Sequence, residues 1–345
     1  MKIGIVAPPW LPVPPPAYGG TELMLDRLAR GLRDAGHDVT LFTTGDSTCP
    51  VERRWVLERA ESLRMGTSVT ELRHVFHAYE ALRDCDVVHD HTVIGPVYAR
   101  RFPDLPVITT NHGPFNAELN DVYRAMADRV PVIAISHHQA TAAHPDVWLA
   151  GVIHHGIDVE SFPYGAGDGG YLLFLGRMAP EKGARRAAEV ARAAGRRLLI
   201  AAKMREPLEV RYFEDEVRPL LGDGVEYVGE VSFERKVELL AGAEALINPI
   251  RWPEPFGLVM IEALACGTPV LAFKEGAAPE IVDHGVTGFL CVDEEDMVAQ
   301  LERIDEIDRR ACRASVEQAF SRERMVADHV AVYERLLTGR LARER

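Results

Sequence analysis

Short apolar runs alternate with amphipathic helical stretches along almost the whole chain, the mark of parallel α/β structure. Ile3–Ala7 reads as a first strand, and Thr21–Ala35 as a helix with Leu25, Leu28, Ala29 and Leu32 on one face. Gly36 ends that helix, and Val39–Thr43 follows as a second strand. Further strands are predicted at Asp86–His89, Val107–Thr110, Val132–Ser136 and Val152–His154. The stretch from Thr44 to Glu80 is polar, and its second half reads as helical. Between Pro163 and Gly170 four glycines fall within six residues, which predicts a flexible joint. Beyond it the alternation restarts, with strands at Tyr171–Leu175, Leu198–Ala201, Val225–Val228, Ala245–Ile247 and Pro269–Ala272. The intervening helices are predicted near Ala184–Ala194, at Val210–Leu220, after a Ser232 cap and at Gly257–Ala265, and the tail from Asp293 reads as mostly helical.

The expectation is therefore two Rossmann-like domains, residues 1–165 and 166–345, facing each other across a cleft. A length of 345 residues fits two cores better than one. The balance of 39 basic against 52 acidic residues, −13, argues against a nucleic-acid partner. The five cysteines are scattered and form no CxxC, which predicts reduced thiols in a cytoplasmic protein with no zinc ribbon. The apolar start stops at Pro8-Pro9, too soon for a signal peptide, and no run approaches the roughly 18 residues of a membrane span. Oligomeric state is not legible. Only Lys2, Lys182, Lys203, Lys236 and Lys274 are lysines, so each is conspicuous.

Four segments carry chemistry. In Trp252-Pro253-Glu254-Pro255-Phe256-Gly257-Leu258, followed four residues later by Glu262, the amides of Phe256, Gly257 and Leu258 form a helix N-terminus suited to an anion. Gly257 lets a ligand approach the backbone, and a carboxylate at each end could grip sugar hydroxyls. The competing reading is a solvated loop acid and an ordinary helix glutamate. Gly176 to Gly183 follows a strand and holds Arg177 and Lys182, enough positive charge to neutralise a diphosphate without a metal. Lys203 is a third cation at an equivalent strand end. Gly19-Gly20 offers a weak phosphate cradle before the first helix, although neither GxGxxG nor GxxxxGK[ST] occurs. Ten of the 13 histidines lie between His74 and His155. His89 and His91 point the same way from one strand, but no carboxylate-rich ligand set accompanies them, so no metal ligand is assigned. The strand-end His112 meets the cleft, where a polar lining of histidines fits a hydroxylated substrate better than a metal, and His89, His91, His137 and His138 are assigned no individual role.

These residues resemble the family 4 glycosyltransferases, retaining enzymes of the GT-B fold. The match lies in the E-x7-E spacing of Glu254 and Glu262, the Gly-Arg…Lys-Gly loop, Tyr18-Gly19-Gly20, His112, Gly156-Ile157-Asp158 and Ala265-Cys266-Gly267-Thr268-Pro269-Val270. It covers nearly the whole chain and is weakest from Thr44 to Glu80. The resemblance implies a hexosyltransferase with a nucleoside-diphosphate sugar, UDP-linked, as co-substrate, a hydroxyl acceptor, and neither metal nor other cofactor. It also implies that Arg177 and Lys182 hold the diphosphate and that Glu262 binds the ribose. Glu254 would bind the donor sugar with the amides from Phe256 to Leu258, Gly20 would approach the diphosphate, and His112 would contact the sugar. Val228-Gly229-Glu230 would lie beside the base, and helices from Ser321 onward would cross back to the first domain. Two departures stand out: His155 occupies a position where the family often has Asn, and Ala201-Ala202-Lys203 replaces a glycine-rich strand end. The alternatives are a sugar-nucleotide epimerase or other GT-B enzyme, a glycosidase using the two glutamates, and a non-catalytic sugar-nucleotide binder.

Overall fold

The computed structural model describes residues 1–341 and divides into two compact units. Unit 1 comprises Met1–Gly156 and the chain from Arg322 onward, and unit 2 comprises Ile157–Ser321. In unit 1 the strands are β1 (Lys2–Val6), β2 (Asp38–Thr43), β3 (Glu52–Trp55), β4 (Val87–Asp90), β5 (Val107–Thr110), β6 (Val132–Ala134) and β7 (Leu149–Val152). They form one sheet in the order β3-β2-β1-β4-β5-β6-β7, every pairing parallel. In unit 2, β8 (Leu172–Arg177), β9 (Leu198–Lys203), β10 (Val225–Gly229), β11 (Ala245–Asn248), β12 (Val270–Phe273) and β13 (Gly288–Cys291) form a second all-parallel sheet in the order β10-β9-β8-β11-β12-β13.

Both sheets reverse direction of growth once, between β1 and β4 in unit 1 and between β8 and β11 in unit 2. Ligands of doubly wound sheets bind outside the carboxyl ends of the strands at such a switch point. The apolar runs drive this arrangement because parallel strands are covered on both faces. Ile3, Ile5, Leu41, Val87, Val88, Leu172, Leu173, Val270 and Leu271 are all fully buried. The helix Arg322–Leu337 completes unit 1 by packing on the helix Gly20–Asp34. A Cβ on Gly31 would come within 2.4 Å of the Val326 side chain, so the close approach needs glycine there.

Three expectations are corrected. The units divide at Gly156–Ile157, nine residues before the predicted boundary, and the glycine-rich stretch lies inside unit 2. It is tied down: the Gly165, Gly167 and Gly169 amides donate to Cys266, Ala241 and Gly242 carbonyls at 3.0, 3.2 and 2.9 Å. A Cβ on Gly165 would lie 2.0 Å from the Ala241 carbonyl oxygen, so its glycine serves close packing rather than flexibility. The strand predicted at Val152–His154 is instead Leu149–Val152. The helix predicted at Val210–Leu220 begins at Pro207, behind a capping box formed by Glu206 and Glu209, and widens into a π turn at Phe213–Val217. No helix among the described residues is long and apolar enough to cross a membrane.

Candidate functional site

The loops that leave β8 and β11 at the switch point of unit 2 are brought side by side by a glycine. Gly183 has φ +87°, and a Cβ there would meet the Pro249 carbonyl oxygen at 2.4 Å. Lys182, in the turn Pro180–Lys182 just before it, forms an ion pair with Glu254 of the second loop. Trp252 donates its indole N–H to the same carboxylate oxygen at 2.6 Å, and the Lys182 ammonium lies 5.2 Å from the indole centroid. The two charged side chains are only 14% and 16% exposed, so the reading of Glu254 as a solvated loop acid is set aside. Behind Glu254 stands Gly276, at φ +59°, where a Cβ would press within 2.6 Å of the Glu254 backbone. The Ala277 amide also donates to the Glu254 carbonyl at 3.0 Å. Gly257, with φ +100°, then opens the helix Leu258–Ala265, and the adjoining Phe256 is buried against Phe320.

Glu262, on that helix, is nearly inaccessible, and both of its oxygens accept from the Lys236 ammonium at 2.9 Å. Lys236 comes from the helix Phe233–Gly242, whose cap is the predicted Ser232, and it lies 5.2 Å from the Phe233 ring centroid. A buried carboxylate needs such a partner, because removing a charge from water without one is prohibitive. Arg177 and Lys203 are adjacent in the β8–β9 register and share Glu209, at 3.8 and 3.1 Å. Arg177 also pairs with Glu181 at 2.7 Å, and Lys203 with Glu206 at 2.6 Å. Burial pushes the Glu209 carboxyl up, but amides of Arg205 and Glu206 and the Lys203 ammonium outweigh it and hold the group below its ordinary range. Val228 is exposed, Gly229 ends β10 at φ +84°, and Glu230 pairs with Arg205 at 2.7 Å. Every predicted cation of unit 2 therefore has a carboxylate waiting on it.

The strand ends of unit 1 are built differently. Gly19 precedes the helix Gly20–Asp34, and a Cβ on it would press within 2.8 Å of Pro15, so the proline loop is what demands glycine there. Glu22, in the first turn of that helix, is buried, which pushes its carboxyl up to about 7. Asp90, at the end of β4, is likewise raised to about 7 by burial, against hydrogen bonds from Thr92 and Tyr79. His89 is fully buried, 2.7 Å from the Tyr333 hydroxyl and 2.8 Å from that of Thr110. Its ring lies 3.9 Å from that of His91, which faces the same way as the strand period requires. His91 Nδ1 lies 2.9 Å from His112 Nε2. The partly exposed His112 ring is sandwiched between His91 and His155, with centroids at 5.1 and 5.6 Å. Burial holds these imidazoles neutral, and with them His329 of the helix Arg322–Leu337, whose ring lies 5.4 Å from that of His89; it pushes His112 down to about 3 and His329 to about 4. His155, the departure from the family pattern, thus forms one wall of the His112 sandwich.

Sequence reasoning missed Lys236, Glu209, the Trp252 indole and the His91–His112 contact. The rarity of lysine was the available signal for Lys236, and the His-x-His spacing was the signal for His91.

Two family models match in tandem: glycosyltransferase family 4 over residues 18–161 and glycosyl transferases group 1 over residues 158–319. A phosphatidyl-myo-inositol mannosyltransferase of Mycolicibacterium smegmatis is 29% identical over 331 residues, covering 87% of this chain and 83% of the relative. AviGT4, a glycosyltransferase involved in avilamycin A biosynthesis, superposes with a TM-score of 0.73 at 26% identity, covering 98% of both chains. Anabaena HepE, solved in complex with UDP and glucose, superposes with a TM-score of 0.74 at 20% identity, covering 97% of this chain and 99% of that one. With a Rossmann-like order in both sheets and matches that run from residue 18 to residue 319, the chain belongs to the family 4 glycosyltransferases and has their GT-B fold.

Proposed function

We propose that this glycosyltransferase moves a hexosyl group from a nucleoside-diphosphate sugar, UDP-linked, to a hydroxyl acceptor, with retention of configuration and without a metal. The observation that carries the reading is the Lys182–Glu254–Trp252 cluster at the switch point of unit 2, where a cation and a carboxylate share one loop junction. Glu254 neutralises Lys182. A donor diphosphate takes over Lys182 and Arg177, and Glu254 is released to accept from hydroxyls of the sugar, aided by the amides of Phe256, Gly257 and Leu258. Phosphate–ammonium and phosphate–guanidinium hydrogen bonds are charge-assisted and strengthen as the leaving diphosphate gains charge.

Glu262, held by Lys236, accepts from the ribose hydroxyls; Val228, Gly229 and Glu230 flank the base; and Lys203 backs Arg177 through Glu209. In unit 1, Gly19 and Gly20 contribute backbone toward the diphosphate, and His112 presents a neutral imidazole to the sugar. HepE was solved with UDP, which supports uridine as the nucleoside. The test is an NMR time course with a panel of sugar nucleotides and no acceptor, wild type beside Arg177→Ala. Slow release of a nucleoside diphosphate from one donor, lost in the variant, is expected. Equal turnover by the variant overturns the assignment of Arg177.

A further inference from the structure

We infer that His91 is a positioning residue for His112, fixing its ring plane and tautomer through the 2.9 Å contact between His91 Nδ1 and His112 Nε2. For activity this rests on the role proposed above for His112, but its structural content does not.

His91 is held on every side. It follows Asp90 at the end of β4, its amide donates to the Val6 carbonyl of β1 at 3.0 Å, and its ring lies 3.9 Å from that of His89. His89 is anchored by Tyr333 and Thr110. The side chain of His91 is nearly inaccessible, so it cannot swing away without opening the core. His112 lies two residues beyond β5 and is partly exposed as a residue. Its Nε2 faces His91, and among the described residues its Nδ1 has no hydrogen-bond partner. His91 Nε2 likewise has none.

The proton count follows. A neutral imidazole carries one N–H, and one ring must donate to the other. If His91 Nδ1–H donates, His112 Nε2 is bare and its proton sits on Nδ1. If His112 Nε2–H donates, His91 Nδ1 is bare and its proton sits on Nε2. The two rings therefore always carry the same tautomer, both Nδ1–H or both Nε2–H. His112 Nδ1 is then a donor in the first state and an acceptor in the second. A hydroxyl satisfies either state, whereas an anion satisfies only the first. The pair thus suits a neutral hydroxylated ligand.

The experiment has two readouts. In 15N-histidine-labelled wild-type protein without ligand, long-range 1H–15N correlations assign both tautomers, and matching tautomers are expected. Different tautomers on the two rings overturn the proposal. In the second readout, His91→Leu removes the nitrogen, while His91→Asn places an amide atom where Nδ1 stands. The Leu variant is expected to shift the His112 ring signals and to lower sugar-nucleotide turnover by about tenfold or more, chiefly in kcat. The Asn variant is expected to keep both within about threefold of wild type, as a side chain of equal reach and hydrogen-bonding capacity should. A folded Leu variant with unchanged His112 signals and turnover overturns the proposal. If His91→Leu does not fold, the wild-type tautomers decide alone. If wild type consumes no sugar nucleotide, the functional reading fails, while the tautomers and the His112 signals still judge His91.

Discussion

The two strand-end regions share one topology and solve opposite electrostatic problems. In unit 2, Arg177, Lys182, Lys203 and Lys236 each face a carboxylate, so the region is crowded with ions held in balance. In unit 1, His89, His91, His112, His155 and His329 are kept neutral by burial, and Glu22 and Asp90 are raised to about 7. A diphosphate needs the first kind of surface, where cations can exchange a carboxylate for a phosphate. Hydroxyl groups can be met by either, by ionised carboxylates in the first or by neutral dipoles aimed without a field that would attract ions in the second. The lesson is that a Rossmann-like sheet fixes where a ligand sits, while the loops decide its charge.

Acid should break the comparison most strongly, because it charges only one of the two regions. A buried histidine whose folded pKa lies below its unfolded value contributes stability above about 6.5, lost as pH falls toward the folded pKa. His74 and His329, both held near 4, each lose about 2 kcal/mol of stability between pH 7 and 5. His89, His91, His112 and His155 shift in the same direction. Glu22 and Asp90 oppose them, since a raised carboxyl gains stability as pH falls, but two acids do not offset six histidines. The apparent melting temperature of unit 1 is expected to drop by about 10 °C or more from pH 7 to pH 5 by differential scanning calorimetry. A flat profile would mean that the cluster is hydrated and protonates as readily in the folded chain as in the unfolded one.

The next effect probes the balance within unit 2. Lys236→Met removes the ion pair of the buried Glu262 carboxylate and should lower chemical-denaturation stability by about 3–5 kcal/mol. Adding Glu262→Gln should recover most of that loss. A single variant as stable as wild type would show that Glu262 reaches water.

A smaller effect separates packing from flexibility. Gly165→Ala should destabilise by about 1–3 kcal/mol, because its Cβ meets the Ala241 carbonyl. Were the glycine-rich stretch a hinge, the same change would be neutral or slightly stabilising.

Much of this architecture was legible because buried parallel strands announce themselves as apolar runs. Val107–Thr110 was read to the residue, and β1, β2, β8 and β11 to within one or two. The strand Glu52–Trp55 was not read, because it is an edge strand whose Glu-Arg-Arg-Trp sequence shows neither an apolar run nor alternation. The boundary was misplaced because glycine signals both freedom and tight packing, and only the neighbours of Gly165 tell which. Within the site, the motifs located Lys182 and Glu254 on their loops and Glu262 on its helix, whereas Arg177, expected in the loop, is the last residue of β8. Their partners Glu209 and Lys236 lie on other elements, at separations that no local pattern encodes.

The central claim, that the paired cations of unit 2 are there to receive a diphosphate, is tested most directly by titrating UDP into wild type and Lys182→Ala in a calorimeter. Binding by wild type that weakens about tenfold or more in the variant is the predicted result, the scale of one charge-assisted contact. Equal affinity in the two proteins would contradict it and leave the Lys182–Glu254 pair a structural ion pair alone.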